Sequence, residues 1–343
     1  MKTFNRNMKS SSTSAFLATL AAKPLVMDGG LGTQLEKLIP KDDPVQPKYH
    51  PLWSGITLWK SPHLVEKVHQ LYVDAGLDLI ITGTYQTSYG SLKKFTSTSD
   101  SEIQALWQRS VNIARKAANS TKDRQVFIAG SVGPYGAYLV NGAEYTGEYG
   151  DITNAQLTKY HYPLVNFFYT HNEVEVIALE TIPNFKEIKV LLNLLKNLQA
   201  TTNSKKPVYL SMNFKTSETL CDGTPIPSVM RYINQFLDSH PHLQNQLFAI
   251  GVNCMDYKFV ADLVKNLDKE NRHNLAIVIY PNLGFDYFSS REDLTYESHK
   301  DQDNWAIAVK KWMSMSPNVR IIGGCCSTGP EEINTVRRIF DQL

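Results

Sequence analysis

Eight short, nearly continuous apolar runs, each followed by a helical pattern, constrain this chain more than any other feature. They span residues 24–28, 79–84, 126–132, 176–181, 208–214, 247–254, 275–281 and 319–324. A strand with one solvated face alternates apolar and polar residues, whereas runs this apolar suit strands buried on both faces of a parallel sheet. Between them, Leu64, Val65, Val68, Leu71 and Tyr72 share one face of a helix expected over 62–75, and Ile188, Leu191, Leu192 and Leu195 share a face over 185–198. Asn184 is placed to cap the second of these, with Glu187 at its third helical position. A last helix is expected from near Thr328, where Pro330, Glu331 and Glu332 suit a first turn. Alternation of this kind allows a closed barrel or a doubly wound sheet, and eight units in a row favour the α/β class as a (β/α)8 TIM barrel. No sequence period recurs and no Gly/Ser-rich linker divides the chain. Residues 13–343 are therefore read as one barrel domain, 1–12 as a disordered N-terminus, and 15–22 as a short helix under the barrel floor.

Composition narrows the function classes. The 343 residues carry 35 basic and 33 acidic side chains, a net charge of +2 with neither sign massed, so no nucleic-acid or membrane-surface partner is expected. No apolar run approaches the roughly 18 residues of a membrane helix. The first 27 residues hold no acid; they read as a tail and a helix rather than a targeting peptide, so a cytoplasmic location is expected, with a mitochondrial destination left open. Four cysteines form no disulfide framework, which points to a reducing compartment and to metal or catalytic use.

Barrel enzymes place their chemistry at the C-terminal ends of the strands. Three of the four cysteines stand there: Cys254 after the sixth run, and Cys325 and Cys326 after Gly323-Gly324 at the eighth. Lone cysteines are often just small buried hydrophobes, and a vicinal disulfide is a strained alternative. Three thiols at one rim favour a metal instead. Adjacent strand residues point to opposite faces, so Cys325 and Cys326 can share an ion only where the strand has ended, which two glycines permit. Thiolates select Zn²⁺, and three protein ligands leave a fourth position open. No histidine stands at a strand end, and Cys221 reads as an incidental thiol. Three thiolates on Zn²⁺ leave a net negative charge, which suits holding an incoming thiol as a nucleophilic thiolate rather than activating water. The natural electrophile is a soft carbon such as a sulfonium methyl group. Tyr135, Tyr138, Tyr145, Tyr149, Tyr160 and Tyr162, in a long connection over 135–162, either wall in that cation or pack the loop. Glu180, at the end of the fourth run, could bind an amino-acid ammonium or serve as a structural acid. Asp28-Gly29-Gly30-Leu31-Gly32-Thr33 offers amides to a carboxylate, but lacks the spacing of a dinucleotide fingerprint.

Taken together these residues resemble the homocysteine S-methyltransferase family. The matching pieces include Asp28-Gly29-Gly30-Leu31-Gly32-Thr33, Pro51-Leu52-Trp53-Ser54, Thr84-Tyr85-Gln86-Thr87-Ser88, Gly133-Pro134-Tyr135-Gly136, Glu180-Thr181-Ile182-Pro183, Gly251-Val252-Asn253-Cys254, Tyr280-Pro281-Asn282 and Gly323-Gly324-Cys325-Cys326, in family order from about Pro24 onward. The resemblance implies Zn²⁺ on Cys254, Cys325 and Cys326, homocysteine as methyl acceptor and methionine as product. It also implies that Asp28, Gly29, Glu180 and Asn253 surround the amino-acid group, with no catalytic residue beyond the metal ligands. Single-barrel length is similar to the branch that uses S-methylmethionine or S-adenosylmethionine. Ser327 stands where the family has arginine, Leu283 where it has a small residue, and Cys221 where serine is usual; the first two bear on donor preference and rate. Two rival readings are a barrel lyase or aldolase with a phosphate site after the eighth strand, and a non-catalytic zinc or thiol sensor.

Overall fold

A computed structural model describes residues 12–202, 204–283 and 298–343, with side chains from 15 and, in the last stretch, from 304. The expectation of disorder over 1–12 lies outside the described residues, except for Ser12, which begins a helix.

All eight apolar runs form strands: β1 Leu25–Val26, β2 Leu79–Ile81, β3 Phe127–Val132, β4 Val176–Ile182, β5 Val208–Met212, β6 Leu247–Asp256, β7 Ala276–Asn282 and β8 Val319–Ile322. Every ladder is parallel, and the order β1-β8-β7-β6-β5-β4-β3-β2 is that of an opened ring. A parallel bridge between Met27 and Leu79 closes it. The Asp78 amide donates to Val26 O (2.7 Å) and the Asp28 amide to Leu79 O (3.2 Å), so β1 and β2 complete the barrel. With helices between the strands, this is the (β/α)8 architecture expected.

Two layers of core follow from the pleat. Residues pointing inward, among them Leu25, Met27, Phe127, Ala129, Val176, Ala178, Tyr209, Val278, Tyr280 and Ile321, fill the barrel. Their outward neighbours, such as Val26, Ile128, Ile177, Leu210, Ile279 and Ile322, pack against the helices. The helix Ser12–Ala22 plugs the floor as expected. Phe16 meets Phe127 and Phe248 edge-on at 5.3 Å each, and the Arg320 Nε donates to Leu20 O at 3.2 Å. Full burial of one such phenylalanine contributes about 2–3 kcal/mol.

The helix Pro62–Asp74 forms where periodicity placed it, and Phe185–Thr201 runs three residues beyond its expected end at 198. Asn184 Oδ1 accepts from Lys186 N at 2.9 Å and Glu187 N at 3.2 Å, so the cap is real. The connection after β3 differs from its reading as one long irregular loop. Short helices occupy Tyr135–Leu139 and Ala143–Thr146, and the next helix, Asn154–Thr170, already takes in Tyr160 and Tyr162. A capping box, Thr153 with Gln156, starts that helix inside the stretch read as a connection. Among the described residues no helix is long and apolar enough to cross a membrane.

Candidate active site at the strand ends

Two strands change register where they reach the rim. β4 slips between Leu179 and Ile182, and β6 between Asn253 and Asp256. A bulge re-aims the side chains beside it. The backbone turns left-handed at Thr181 (φ 59°) and Cys254 (φ 55°), a region that ordinary side chains avoid. These turns bring the Cys254 Sγ to 2.7 Å from the Cys325 Sγ. Cys326 joins the same group: hydrogen bonds from Cys254 and Cys325 hold its thiol well below the usual range, while hydrogen bonds to Cys254 and Cys326, with burial, hold Cys325 well above it. Three thiols thus share one place and favour one thiolate among them.

Among the described residues, no three His, Cys, Asp or Glu side chains stand at the spacing of a finished metal cage. The 2.7 Å between two sulfurs is shorter than the edge of about 3.8 Å that a tetrahedron with 2.3 Å zinc–sulfur bonds requires. The donor set nonetheless fits a thiophilic ion, because three thiols are soft ligands and each cysteine side chain has staggered rotamers through which the sulfur–sulfur edge can change.

The segment after β8 is fixed by its own amides. Gly323 N donates to Ile279 O (2.9 Å), Gly324 N to Asp28 O (2.9 Å) and Cys325 N to Pro281 O (2.8 Å). Cys326 N donates to Asn282 Oδ1 (3.0 Å), Ser327 N to Thr33 Oγ1 (3.1 Å) and Gly329 N to Glu332 Oε2 (2.7 Å). Thr328 N turns back to Cys325 O at 3.2 Å. Glycine is needed here for close approach: a Cβ on Gly30 would lie 2.3 Å from Cys325 O, and one on Gly324 2.2 Å from Thr328 Oγ1. With every amide from 323 to 329 engaged inside the protein, this loop has none to cradle a phosphate, and the lyase reading loses its anion site. The departures at 283 and 327 are structural as well. Leu283 is buried with its amide on Cys326 O (3.1 Å), and Ser327 adopts φ 65°.

Two carboxylates lie under the sulfurs. Burial pushes Glu180 up to about 7, against a hydrogen bond from Ser131, with the Cys254 charge adding to the rise. Burial also holds Asp28 well above the carboxylate range, against the Ile81 amide (2.9 Å to Oδ2), and Glu180 raises it further. Asp28 thus feels the charge of Glu180, and Glu180 that of Cys254. The Gly30 amide is spent on Thr328 O (3.1 Å), so Gly29 and the first turn of helix Leu31–Leu38 carry the amides that this segment can still present. Asn253 reaches the same rim, but its carboxamide faces inward: Oδ1 accepts from Thr181 N (2.9 Å) and Ser211 Oγ (2.7 Å), and Nδ2 donates to Thr181 Oγ1 (2.7 Å).

The tyrosines divide. Tyr135 packs on Tyr138, Tyr149 and Tyr160 at centroid distances of 5.4, 5.4 and 5.2 Å, Lys94 already covers Tyr138 at 4.7 Å, and Tyr162 faces outward. These pack the loop. Tyr145 is different: burial, with the neighbouring Cys254 and Cys326, holds its phenol well above its ordinary range. Tyr85, from the segment after β2, is buried beside Glu144 and Cys254 in the same way. Cys221 is buried with its thiol pushed up to about 12, an inert group.

Glu187 was missed as a site-building residue. Its carboxylate turns away from Asn184 and collects the Tyr135 amide (2.6 Å), the Tyr149 hydroxyl (2.6 Å) and His161 Nε2 (2.7 Å), all shielded from water. It ties the segment bearing Glu144 and Tyr145 to helix Phe185–Thr201. Glu187→Ala is expected to strand three buried partners and to lower the unfolding free energy by about 3 kcal/mol. Denaturant melts check that figure, and hydrogen exchange should rise first over 135–149.

Comparison with known proteins agrees with this geometry. The family described as homocysteine S-methyltransferase matches residues 25–340. A selenocysteine methyltransferase of Astragalus bisulcatus is 32% identical, with 93% of each chain covered. Homocysteine S-methyltransferase 2 of Arabidopsis thaliana is 32% identical, covering 91% of this chain and 92% of its own. The metallated form of the homocysteine methyltransferase MmuM from Escherichia coli superposes with a TM-score of 0.75 at 30% identity, over 94% of this chain and 98% of that one. With a match that runs through every strand of the barrel and all three rim cysteines, the chain belongs to the homocysteine S-methyltransferase family.

Proposed function

We propose that this protein moves a methyl group from a sulfonium donor, S-methylmethionine or S-adenosylmethionine, to the thiol of homocysteine, giving methionine, and that Zn²⁺ on Cys254, Cys325 and Cys326 makes this possible. The convergence of three thiols from β6 and β8, with two sulfurs 2.7 Å apart, is the observation that carries it. Residues 13–343 are read as a single homocysteine-binding barrel domain.

A zinc ion held there would take the acceptor's thiol as its fourth ligand and keep it deprotonated at neutral pH. The rest falls to the chain's own groups. Asp28 and Glu180 are both buried and repel one another, so a cation placed against them relieves both. The ammonium of homocysteine is such a cation. Gly29 and the first-turn amides of helix Leu31–Leu38 can receive its carboxylate, which adds the favourable field of a helix N-terminus. Asn253 braces the end of β4, and so places Glu180 from behind. Tyr85 and Tyr145 line the side of the sulfur cluster, where aromatic faces can hold a sulfonium until its charge is lost. Transfer is then an in-line displacement at carbon: the acceptor sulfur forms a bond to the methyl group as the donor's carbon–sulfur bond breaks, and its electron pair leaves with the neutral thioether.

The direct test is incubation of zinc-loaded protein with homocysteine and each donor in turn, with methionine measured. Methionine from at least one donor is expected. Its absence with both, in protein that binds zinc and homocysteine, would turn the reading toward a sensor.

A further inference from the structure

We propose that Thr181 is a positioning residue for the sulfur cluster, its hydroxyl donating to the Cys254 sulfur and so setting that sulfur's direction and donor strength. This rests on the metal-site reading above and concerns one side chain that no part of that reading uses.

The direction of each proton can be worked out. Thr181 N lies 2.9 Å from one end of the Asn253 carboxamide, and a backbone amide can only donate, so that end is Oδ1. Ser211 Oγ, at 2.7 Å, donates to the same oxygen. The opposite end is therefore Nδ2, which has only hydrogens to offer. It meets Thr181 Oγ1 at 2.7 Å, so in this contact the threonine oxygen is the acceptor. The hydroxyl's single proton remains for another partner. Cys254 Sγ lies 3.8 Å from Oγ1, within reach of an O–H···S hydrogen bond. The Tyr85 phenol also hydrogen-bonds this hydroxyl, and because burial keeps that phenol protonated it can donate its own proton to the second lone pair of Oγ1, which leaves the threonine proton for the sulfur.

The backbone supports the same conclusion. Thr181 is β-branched, and φ 59° is a conformation such residues rarely adopt. The register slip in β4 and the clasp from Asn253 hold it there. Cys254 stands in the matching left-handed turn of β6 (φ 55°). Strained residues at functional sites persist only where their surroundings over-determine them. Here the strain on β4 brings a hydroxyl to the sulfur on β6. A donor on a thiolate orients it and draws off electron density, which is how groups behind metal ligands adjust affinity.

The test compares wild type, Thr181→Val and Thr181→Ser. Valine keeps the shape and removes the donor, and serine keeps the donor. Zinc affinity is measured by competition with a chelator, and the thiolate-to-metal charge-transfer band is recorded with Co²⁺ as the bound probe. Thr181→Val is expected to bind zinc roughly 10–100-fold more weakly, with the band moved to lower energy, while Thr181→Ser restores both. Two results overturn the proposal: Thr181→Val with the wild-type affinity and band, even if its melting temperature falls, or Thr181→Ser as impaired as Thr181→Val. A wild-type protein that binds neither metal through sulfur is a separate failure, that of the metal site itself.

Discussion

Cys325→Ser is expected to remove stoichiometric metal and to cut methionine formation by more than 100-fold while the barrel stays folded. The physical reason lies in how the cysteine is used. Its main chain does structural work: the amide is held by Pro281 O at 2.8 Å, and the carbonyl accepts from Thr328 N at 3.2 Å and Thr328 Oγ1 at 2.6 Å. None of this needs sulfur. Its side chain is only partly buried and meets Cys254 Sγ at 2.7 Å. Serine supplies a shorter, harder, weakly acidic hydroxyl, which leaves two thiolates where three were available. Losing a group that merely orients a metal ligand already costs about 10–100-fold, and losing a ligand costs more. Elemental analysis per chain, a thermal melt of metal-free protein and a methionine assay read the three parts separately. The metal-free barrel should stay folded, with a stability loss on the order of 1 kcal/mol.

Glu180→Gln is expected to raise the KM for homocysteine by about 100-fold with a smaller effect on kcat. Breaking a buried charge pair by removing one partner typically costs about 2–5 kcal/mol, and 100-fold lies within that range. Glutamine keeps the acceptor for Ser131, so the local frame survives. Glu180 also gives a pH signature. Burial pushes its carboxyl up to about 7, so the carboxylate that attracts an ammonium is lost as pH falls through that value. In the wild type, kcat/KM for homocysteine should decline on the acid side of about 7, and in Glu180→Gln that limb should vanish. The stability effect has the opposite sense. The folded protein holds this proton more tightly than the unfolded chain, so Glu180 weakens the fold as pH rises from its ordinary range, near 4.5, to about 7. Glu180→Gln should flatten that part of the stability profile.

Much of the architecture was legible because it rests on local pattern. All eight strands formed on the apolar runs, with β4, β6 and β7 running one or two residues past them, since strands buried on both faces must be apolar. The thiol cluster was legible because barrel topology alone brings the ends of β6 and β8 to one rim. What stayed hidden depends on pairing between distant segments. The slips in β4 and β6 that turn Thr181 and Cys254 left-handed arise from register against neighbouring strands, and no single run encodes them. Glu187 read as half of a helix cap because its three partners stand 26 to 52 residues upstream. For the six tyrosines the sequence left two readings open, a wall for the cation or packing of the loop; only the ladder of contacts separates Tyr145, beside the sulfurs, from Tyr135, Tyr138 and Tyr160, which pack on one another. The Gly323-Gly324 loop suggested an anion site because sequence does not show that its amides are already bonded.

X-ray absorption at the zinc edge of the purified, zinc-loaded protein tests the central claim most directly. The account predicts a first shell with three sulfurs at about 2.3 Å. A shell of nitrogen and oxygen alone, or one with a single sulfur, would contradict it.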